Sequence, residues 1–325
     1  MTPVPFDARL LEELIGAAVA APSVFNTQPW RFRLDTHSGE LEVRAVPGRQ
    51  LRHLDPSGRA LHLSVGAAVY NLRVAASHHG WEPSVRLLPD PRQTDLLAAV
   101  RLTGPVPAGS RIRAGLYGAI GSRHSSRFPF SDARPPRAVL TELREAAQDE
   151  GATLVLADAG QAAGLMRLTA EAERRNNKDP ERREESRRWI REGSGDGLSG
   201  AALGVRDAAG RVPVRDHTAG RGTALPAAAY ESDPLVAVLV TAHDERADWL
   251  GAGQALQNVL LRAARHTVQT SLFHQAVEWP DLRAELLPET ARPGFTQMLI
   301  RLGYGPLGPG TPRRPVSEVL DNGAG

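Results

Sequence analysis

The sequence predicts a chain of mixed helix and strand composed of two related halves, and three observations lead there. A helical apolar face near the N-terminus gives way to an alternating, strand-like stretch. Residues 66–79 recur without gaps at 253–266, and apolar runs that read as strands accompany both copies. With 325 residues, the chain can form one large domain or two smaller ones and bury a substantial core.

The opening helix carries Leu10, Leu11, Leu14, Ile15, Ala18 and Val19 on one face and is predicted to stop before Pro22, because proline disfavours helical backbone in the residue ahead of it. Ser23, Asn26, Thr27 and Gln28 then form a polar loop, and Trp30 to Leu34 alternates like a strand. A loop of short hydrogen-bonding side chains between two packed elements is a common place for ligand contacts. The same residues also suit an ordinary turn in which Asn and Ser satisfy their own backbone.

In the repeat, GAAVYNLRVAASHH at 66–79 aligns with GQALQNVLLRAARH at 253–266, matching Gly66 with Gly253, Asn71 with Asn258 and His79 with His266. Two alanine-rich buried helices can resemble each other by composition alone. The strand-like runs DLLAAVRLTG at 95–104 and DPLVAVLVTAH at 233–243 favour duplication.

Residues 122–130, SRHSSRFPF, place Arg123 and Arg127 on either side of Ser125 and Ser126. Arginine forks bind phosphate oxygens bidentately, and a neighbouring hydroxyl adds a neutral donor. A solvated basic loop is the plain alternative, since the chain is rich in arginine. Residues 163–193 read as mixed-charge helix broken at Pro180, and residues 194–222 as a glycine-rich connection with few apolar anchors. This insertion is either a surface excursion or a lid over a site. The packing of Trp189 and Ile190 decides which. Glu173, Glu181, Glu184 and Glu185 interleave with its arginines, so it does not present a nucleic-acid surface.

Composition excludes several classes. Basic residues number 39 against 37 acidic, and Lys178 is the sole lysine. That near balance argues against a nucleic-acid-binding surface. Cysteine is absent, which removes disulfides, thiolate metal sites and thiol catalysis. His53, His78, His79, His217, His243, His266 and His274 show no metal-ligand spacing, and no G-x-S-x-G elbow occurs. The N-terminus has no basic stretch followed by an apolar run, so a cytoplasmic location and no membrane contact are expected.

The string AAPSVFNTQPWRF at 20–32, the element RHSSR at 123–127 and the closing GYGPLGPGTPRRPVSEVL at 303–320 together resemble the nitroreductase family, in particular its actinobacterial Acg-like branch. The resemblance spans nearly the whole chain. It implies an α+β fold with two pseudo-symmetric halves, each holding a mixed sheet and packed helices. Residues 1–110 would form the first half; residues 111–325 would form the second, with a lid-like insertion at about 163–222.

The resemblance also implies FMN as cofactor. Arg123, His124, Ser125 and Arg127 would hold its phosphate, joined by Arg314 with Arg313 from the tail. Pro22, Ser23, Asn26 and Gln28 would reach the ring from the other half. SLFHQAVEWP at 271–280 occupies the place of the family's backbone approach to the ring, which makes Gln275, and with it Glu278, candidates. The family's glycine turn after the long helix is replaced here by Thr267-Val268-Gln269. Phosphate element and polar hook each occur once, so one FMN per chain is expected, in a monomer that is an internal pseudo-dimer. The implied activity is reduction of nitroaromatic, quinone or related small-molecule acceptors with NAD(P)H, with no side chain required as acid or base. The alternatives are a protein that binds and stores FMN without turnover, and a scaffold without cofactor.

Overall fold

The computed structural model describes residues 6–107, 111–216 and 225–321; His217 and the end of the insertion at 217–222 lie outside the described residues. The first half runs α1 (Ala8–Val19), β1 (Trp30–Asp35), β2 (Glu40–Ala45), α2 (Arg59–His78), β3 (Trp81–Leu87) and β4 (Leu96–Pro105). Two short helices, α3 (Arg111–Ala114) and α4 (Tyr117–Ser122), lead to the second half. That half contains α5 (Arg137–Gln148), β5 (Thr153–Leu156), β8 (Leu235–Thr241), α8 (Arg246–Arg265), β9 (Gln269–Phe273), α9 (Pro280–Glu285) and β10 (Phe295–Gly303). Between β5 and β8 lies the insertion, with α6 (Ala159–Lys178), α7 (Pro180–Arg188), β6 (Arg206–Asp207) and β7 (Ala227–Ala228). The chain closes with α10 (Val316–Val319) and β11 (Leu320–Asp321).

The two sheets are copies of one plan. The first has the order β11-β1-β2-β4-β3 and the second β5-β8-β10-β9, so β1, β2, β4 and β3 correspond to β5, β8, β10 and β9. The first sheet is mixed because β11 joins β1 in parallel. The second is antiparallel along its named strands and gains a parallel bridge at its edge, Ser125 to Thr270. Sequence likeness paired the strand at 95–104 with that at 233–243, and the topology corrects this: they fall in β4 and β8, which are not counterparts. Both are apolar because both lie deep in a sheet, which composition records and register does not.

The repeat is real and sits on the pseudo-twofold axis. Helices α2 and α8 have 20 residues each and cross at Gly66 and Gly253. A Cβ on Gly66 would stand 2.2 Å from the Leu250 carbonyl oxygen, and one on Gly253 would stand 2.1 Å from that of Leu63. Each leucine precedes its glycine by three positions, so the contact is reciprocal, as across an isologous dimer interface. Asn71 donates to the Ala17 carbonyl of α1 and Asn258 to the Ala146 carbonyl of α5, both at 2.9 Å. Equivalent side chains thus tie each short helix to its long one. At the far ends, Gly80 takes φ 87° after α2 while Thr267 takes φ 56° after α8, so the turn survives without glycine.

The helix ends follow local chemistry. Asp7 caps α1 by accepting from the Leu10 amide, and capping boxes open α6 (Asp158, Gln161) and α8 (Glu245, Asp248). For α2, preceded by Gly58, the Asp55 carboxylate reaches the Ala60 and Leu61 amides at 3.0 and 2.9 Å. Leu116, Ala119 and Ile120, at and within α4, pack between the long helices against Tyr70, Val74 and Leu261.

The insertion decides how the sheets are buried. Strand β1 alternates buried Trp30 and Phe32 with exposed Arg31 and Arg33, as expected for a sheet wet on one face. In β8, by contrast, Ala237 and Leu239 face α5 and α8 while Val236, Val238 and Val240 pack with Leu165 and Met166 of α6. Trp189 and Ile190 pack with Phe25, Leu51, Leu54 and Leu198, so the insertion also reaches the first half. The connection expected to lack anchors has them: Leu198, Ala202, Leu203 and Val212 are buried. No described helix is long and apolar enough to cross a membrane.

Candidate active site

The hook between α1 and β1 adopts three left-handed backbone conformations in close succession, at Phe25 (φ 53°), Asn26 (φ 56°) and Gln28 (φ 48°). For a bulky residue such as Phe25 this is unfavourable by about 1 kcal/mol or more, and it persists only where surrounding contacts impose it. Here they do. The Ser23 hydroxyl accepts from the Gln28 amide at 2.9 Å, closing the hook. Asn26 donates to the carbonyls of Gly197 and Pro312, each at 2.9 Å, and accepts from Arg313 at 3.1 Å. Gln28 donates to the Gly195 carbonyl and accepts from the Arg314 amide, both at 2.9 Å. Hook, insertion and C-terminal tail are therefore bolted together.

Two adjoining cavities lie beneath the hook and share Pro22, Ser23, Ser125 and Arg127 in their walls. The smaller, about 410 Å³, adds Asn26, Arg123, His124 and Arg313. The larger, about 900 Å³, extends between α2 and the end of β9, past Phe25, Leu63, Ser64, Leu256, Phe273, His274, Gln275 and Met298, with Val214 and Arg215 contributed by the insertion. Its largely apolar walls suit a flat organic molecule.

The smaller cavity is lined by three buried arginines. Arg123 is 5% exposed and donates to the Ala20 carbonyl at 3.2 Å, while its buried Nε has no partner among the described residues. Arg127 donates to the Ala202 carbonyl at 2.7 Å, and its own carbonyl accepts from the Tyr230 hydroxyl at 2.8 Å. Arg313 is held by Asn26, by Thr311 and by the Ala20 and Ala21 carbonyls, and its Nε is likewise unpaired among the described residues. Burial lowers Arg123 to about 9, aided by the Arg313 charge, and lowers Arg127 and Arg313 to about 10. All three remain charged at neutral pH. The charged side chains lining both cavities are all arginine among the described residues. Desolvated cations without counter-charge are unfavourable by several kcal/mol, which makes this end electrostatically suited to an anion.

Not every residue singled out from the sequence reaches a cavity. Arg123, His124, Ser125, Arg127, Pro22, Ser23, Asn26, Arg313 and Gln275 do. Gln28 and Arg314 do not line either. Gln28 is fully buried in its clamp, and the Arg314 side chain turns to Glu318, donating to its carbonyl at 2.6 Å. Ser126 is also structural, donating to the Pro306 carbonyl at 2.9 Å. Phe25, Arg215 and His274 line the larger cavity without having been singled out. Phe25 stood inside the hook string; Arg215 was one arginine among many in the insertion, with no local signal. His274 adjoins Gln275, and that adjacency could have found it.

Behind His274 lies a buried charge network. Glu278 does not line the cavity; its carboxylate meets Arg215, His274 Nδ1 at 3.0 Å, Asn176 at 2.8 Å and Arg182 at 3.6 Å. Arg59 Nη2 lies 3.0 Å from His274 Nε2. Because Arg59 can only donate, Nε2 accepts and Nδ1 carries the proton toward Glu278. Burial lowers His274 to about 4 against the pull of Glu278, which keeps the ring neutral at pH 7. For Glu278, burial acts upward, but Arg215 and His274 outweigh it and hold the carboxyl below its ordinary range.

Comparison with known proteins follows the same lines. A Mycobacterium tuberculosis H37Rv protein carrying the name NAD(P)H nitroreductase is 31% identical over 323 residues, covering 97% of this chain and 92% of the relative. A second M. tuberculosis protein, carrying the name NAD(P)H nitroreductase acg, is 29% identical over 325 residues, covering 96% and 95%. Among solved structures, the FMN- and NADPH-dependent nitroreductase NfnB of a Sphigopyxis strain is 18% identical, covering 63% of this chain and 97% of its own with a TM-score of 0.40. A Bacteroides fragilis nitroreductase with bound FMN gives 14%, 64%, 96% and 0.36 for the same quantities. No protein-family model matches the chain. With a relative above 30% identity along almost its entire length, this chain belongs to the NAD(P)H nitroreductase family.

Proposed function

We propose that the chain is an FMN-dependent NAD(P)H oxidoreductase with a single flavin site, acting in the cytoplasm as a monomer on nitroaromatic, quinone or related acceptors. The observation that carries this reading is the convergence of Arg123, Arg127 and Arg313 with Ser125 at one end of a cavity whose walls, among the described residues, hold no carboxylate. That end fits the phosphate of FMN, and the larger cavity fits a tricyclic ring. Bound there, FMN would supply hydride and electron transfer between the nicotinamide and the acceptor. Arg123, Arg127 and Arg313 would bind the phosphate dianion through charge-assisted hydrogen bonds. Asn26 would hold Arg313 in position, and the Ser23 hydroxyl would keep the hook closed beside the ring. His274, fixed as a neutral donor to Glu278, would present an uncharged wall. Leu63, Leu256 and Met298 would exclude water.

A single site is supported by the contrast between the hook and its counterpart in the second half, where only residues 149–152 join α5 to β5. Val214 and Arg215 from the insertion line the cavity, which supports the insertion as a lid and favours FMN storage as the second reading. Steady-state oxidation of NADPH or NADH by FMN-loaded protein, with menadione and a nitrofuran as acceptors, separates the two. Turnover above that of free FMN supports the oxidoreductase; stoichiometric flavin without turnover supports storage.

A further inference from the structure

We propose that Arg215 is a specificity-determining residue that receives the anionic group of an aromatic ligand at the insertion-lined side of the larger cavity, beside the space assigned to the flavin ring. This rests on the oxidoreductase reading only in naming that ligand as the electron acceptor: an aromatic carboxylate in preference to its neutral analogue.

Three arginines and a hydroxyl at the smaller cavity already suit one phosphate dianion. Arg215 stands apart from them, lining only the larger cavity of the two, where its neighbours are otherwise mostly apolar. It belongs to the insertion and to neither duplicated half. The side chain is 11% exposed and hydrogen-bonds Glu278 through Nη2. Among the described residues Nε and Nη1 have no hydrogen-bond partner, and neither is sealed off, so part of the fork stays available. Glu278 serves Arg182 as well as Arg215, and the buried carboxylate of Glu173 lies on the side of Arg215 away from the larger cavity. The unpaired part of the guanidinium faces a cavity of low polarity, where charge interactions are stronger than in water.

Phe25 supplies the second half of the argument. The Arg215 guanidinium lies 5.0 Å from the centre of the Phe25 ring, and Phe25 holds its left-handed backbone because Ser23, Asn26 and Gln28 clamp the hook around it. An aromatic surface beside a cation held in place by Glu278 matches a planar ring that bears a carboxylate. Neutral acceptors would gain the ring contact without the ion pair.

The test compares 4-nitrobenzoate with 4-nitrobenzamide on FMN-loaded protein, through kcat/KM and, independently of turnover, through equilibrium dialysis. Wild-type protein is expected to favour the carboxylate by about tenfold or more in both measurements, the scale of one charge-assisted pair. Arg215→Gln should bring the ratio close to one, and Arg215→Lys should restore part of it. Should Arg215→Gln fail to fold, the wild-type preference and the Lys variant decide the matter. Equal binding of the two compounds by wild type overturns the proposal, as does a parallel loss for both in Arg215→Gln. A loss confined to the NADPH half-reaction assigns the arginine to the nucleotide and overturns it too. Selective binding of the carboxylate without reduction of either compound would leave Arg215 assigned and remove the oxidoreductase reading.

Discussion

The junction between α1 and β1 and its counterpart between α5 and β5 do the same topological job with different means. Each leaves a 12-residue helix tied by an asparagine to the central pair and enters a strand at the same place in a sheet of the same order. Yet the first uses residues 20–29, with three left-handed residues and hydrogen bonds to both insertion and tail, while the second uses residues 149–152. After duplication, the helices and strands are held by packing that tolerates little change. The loops are free to diverge, and the polar machinery is concentrated in one of them.

The largest expected effect tests the shared part. Gly66→Ala places a methyl group against the Leu250 carbonyl and must force α2 and α8 apart, lowering stability by about 3 kcal/mol or more in urea unfolding. Gly16→Ala in α1, where nothing lies within 4 Å of the added carbon, should be neutral or stabilising by about 0.5–1 kcal/mol. Equal effects at the two glycines would break the claim of a tight pseudo-twofold crossing.

The next prediction addresses the divergent part. Replacing Arg123 and Arg127 together by alanine should weaken FMN affinity by on the order of a thousandfold in fluorescence titration while thermal unfolding stays cooperative, since each charged hydrogen bond contributes about 1.5–3 kcal/mol. Retained affinity would move the phosphate elsewhere.

A pH dependence comes third. His274 is held below its ordinary 6.5, at about 4, so its neutral form is favoured in the folded state. Its contribution is complete above pH 6.5 and is lost as pH falls through about 4. His274→Gln should flatten that part of the stability profile, measured by chemical denaturation between those limits; an unchanged slope would place the acid sensitivity in other groups. The smallest effect is expected at Arg314. Because its side chain turns to Glu318, Arg314→Ala should change FMN affinity by no more than about twofold, whereas Arg313→Ala should lower it tenfold or more.

Much of this was legible in the chain itself, for reasons that differ by residue. Helix α1 and strand β1 could be read because their apolar periods are local, and the long helices because Gly66 and Gly253, or Asn71 and Asn258, occupy equivalent places. The cluster at 123–127 was legible because its arginines and serines stand together in a short string. Gln28 and Arg314, expected at the cofactor, line neither cavity and make hydrogen bonds that tie hook, insertion and tail together. Their partners lie 167 and 286 positions away, at distances that no local pattern encodes. Arg215 was hidden for the opposite reason. Nothing in a charge-rich insertion marks the one arginine that faces inward, and only the burial of Glu278 in the second half explains its position.

The central claim is that one phosphate cradle and one hook, drawn from the two halves of a duplicated chain, form one flavin site. Equilibrium titration of flavin-free protein with FMN tests it most directly. The account predicts saturation at one FMN per chain, abolished at the same concentrations by the Arg123→Ala, Arg127→Ala double variant. Two equivalents per chain, or none, would contradict it.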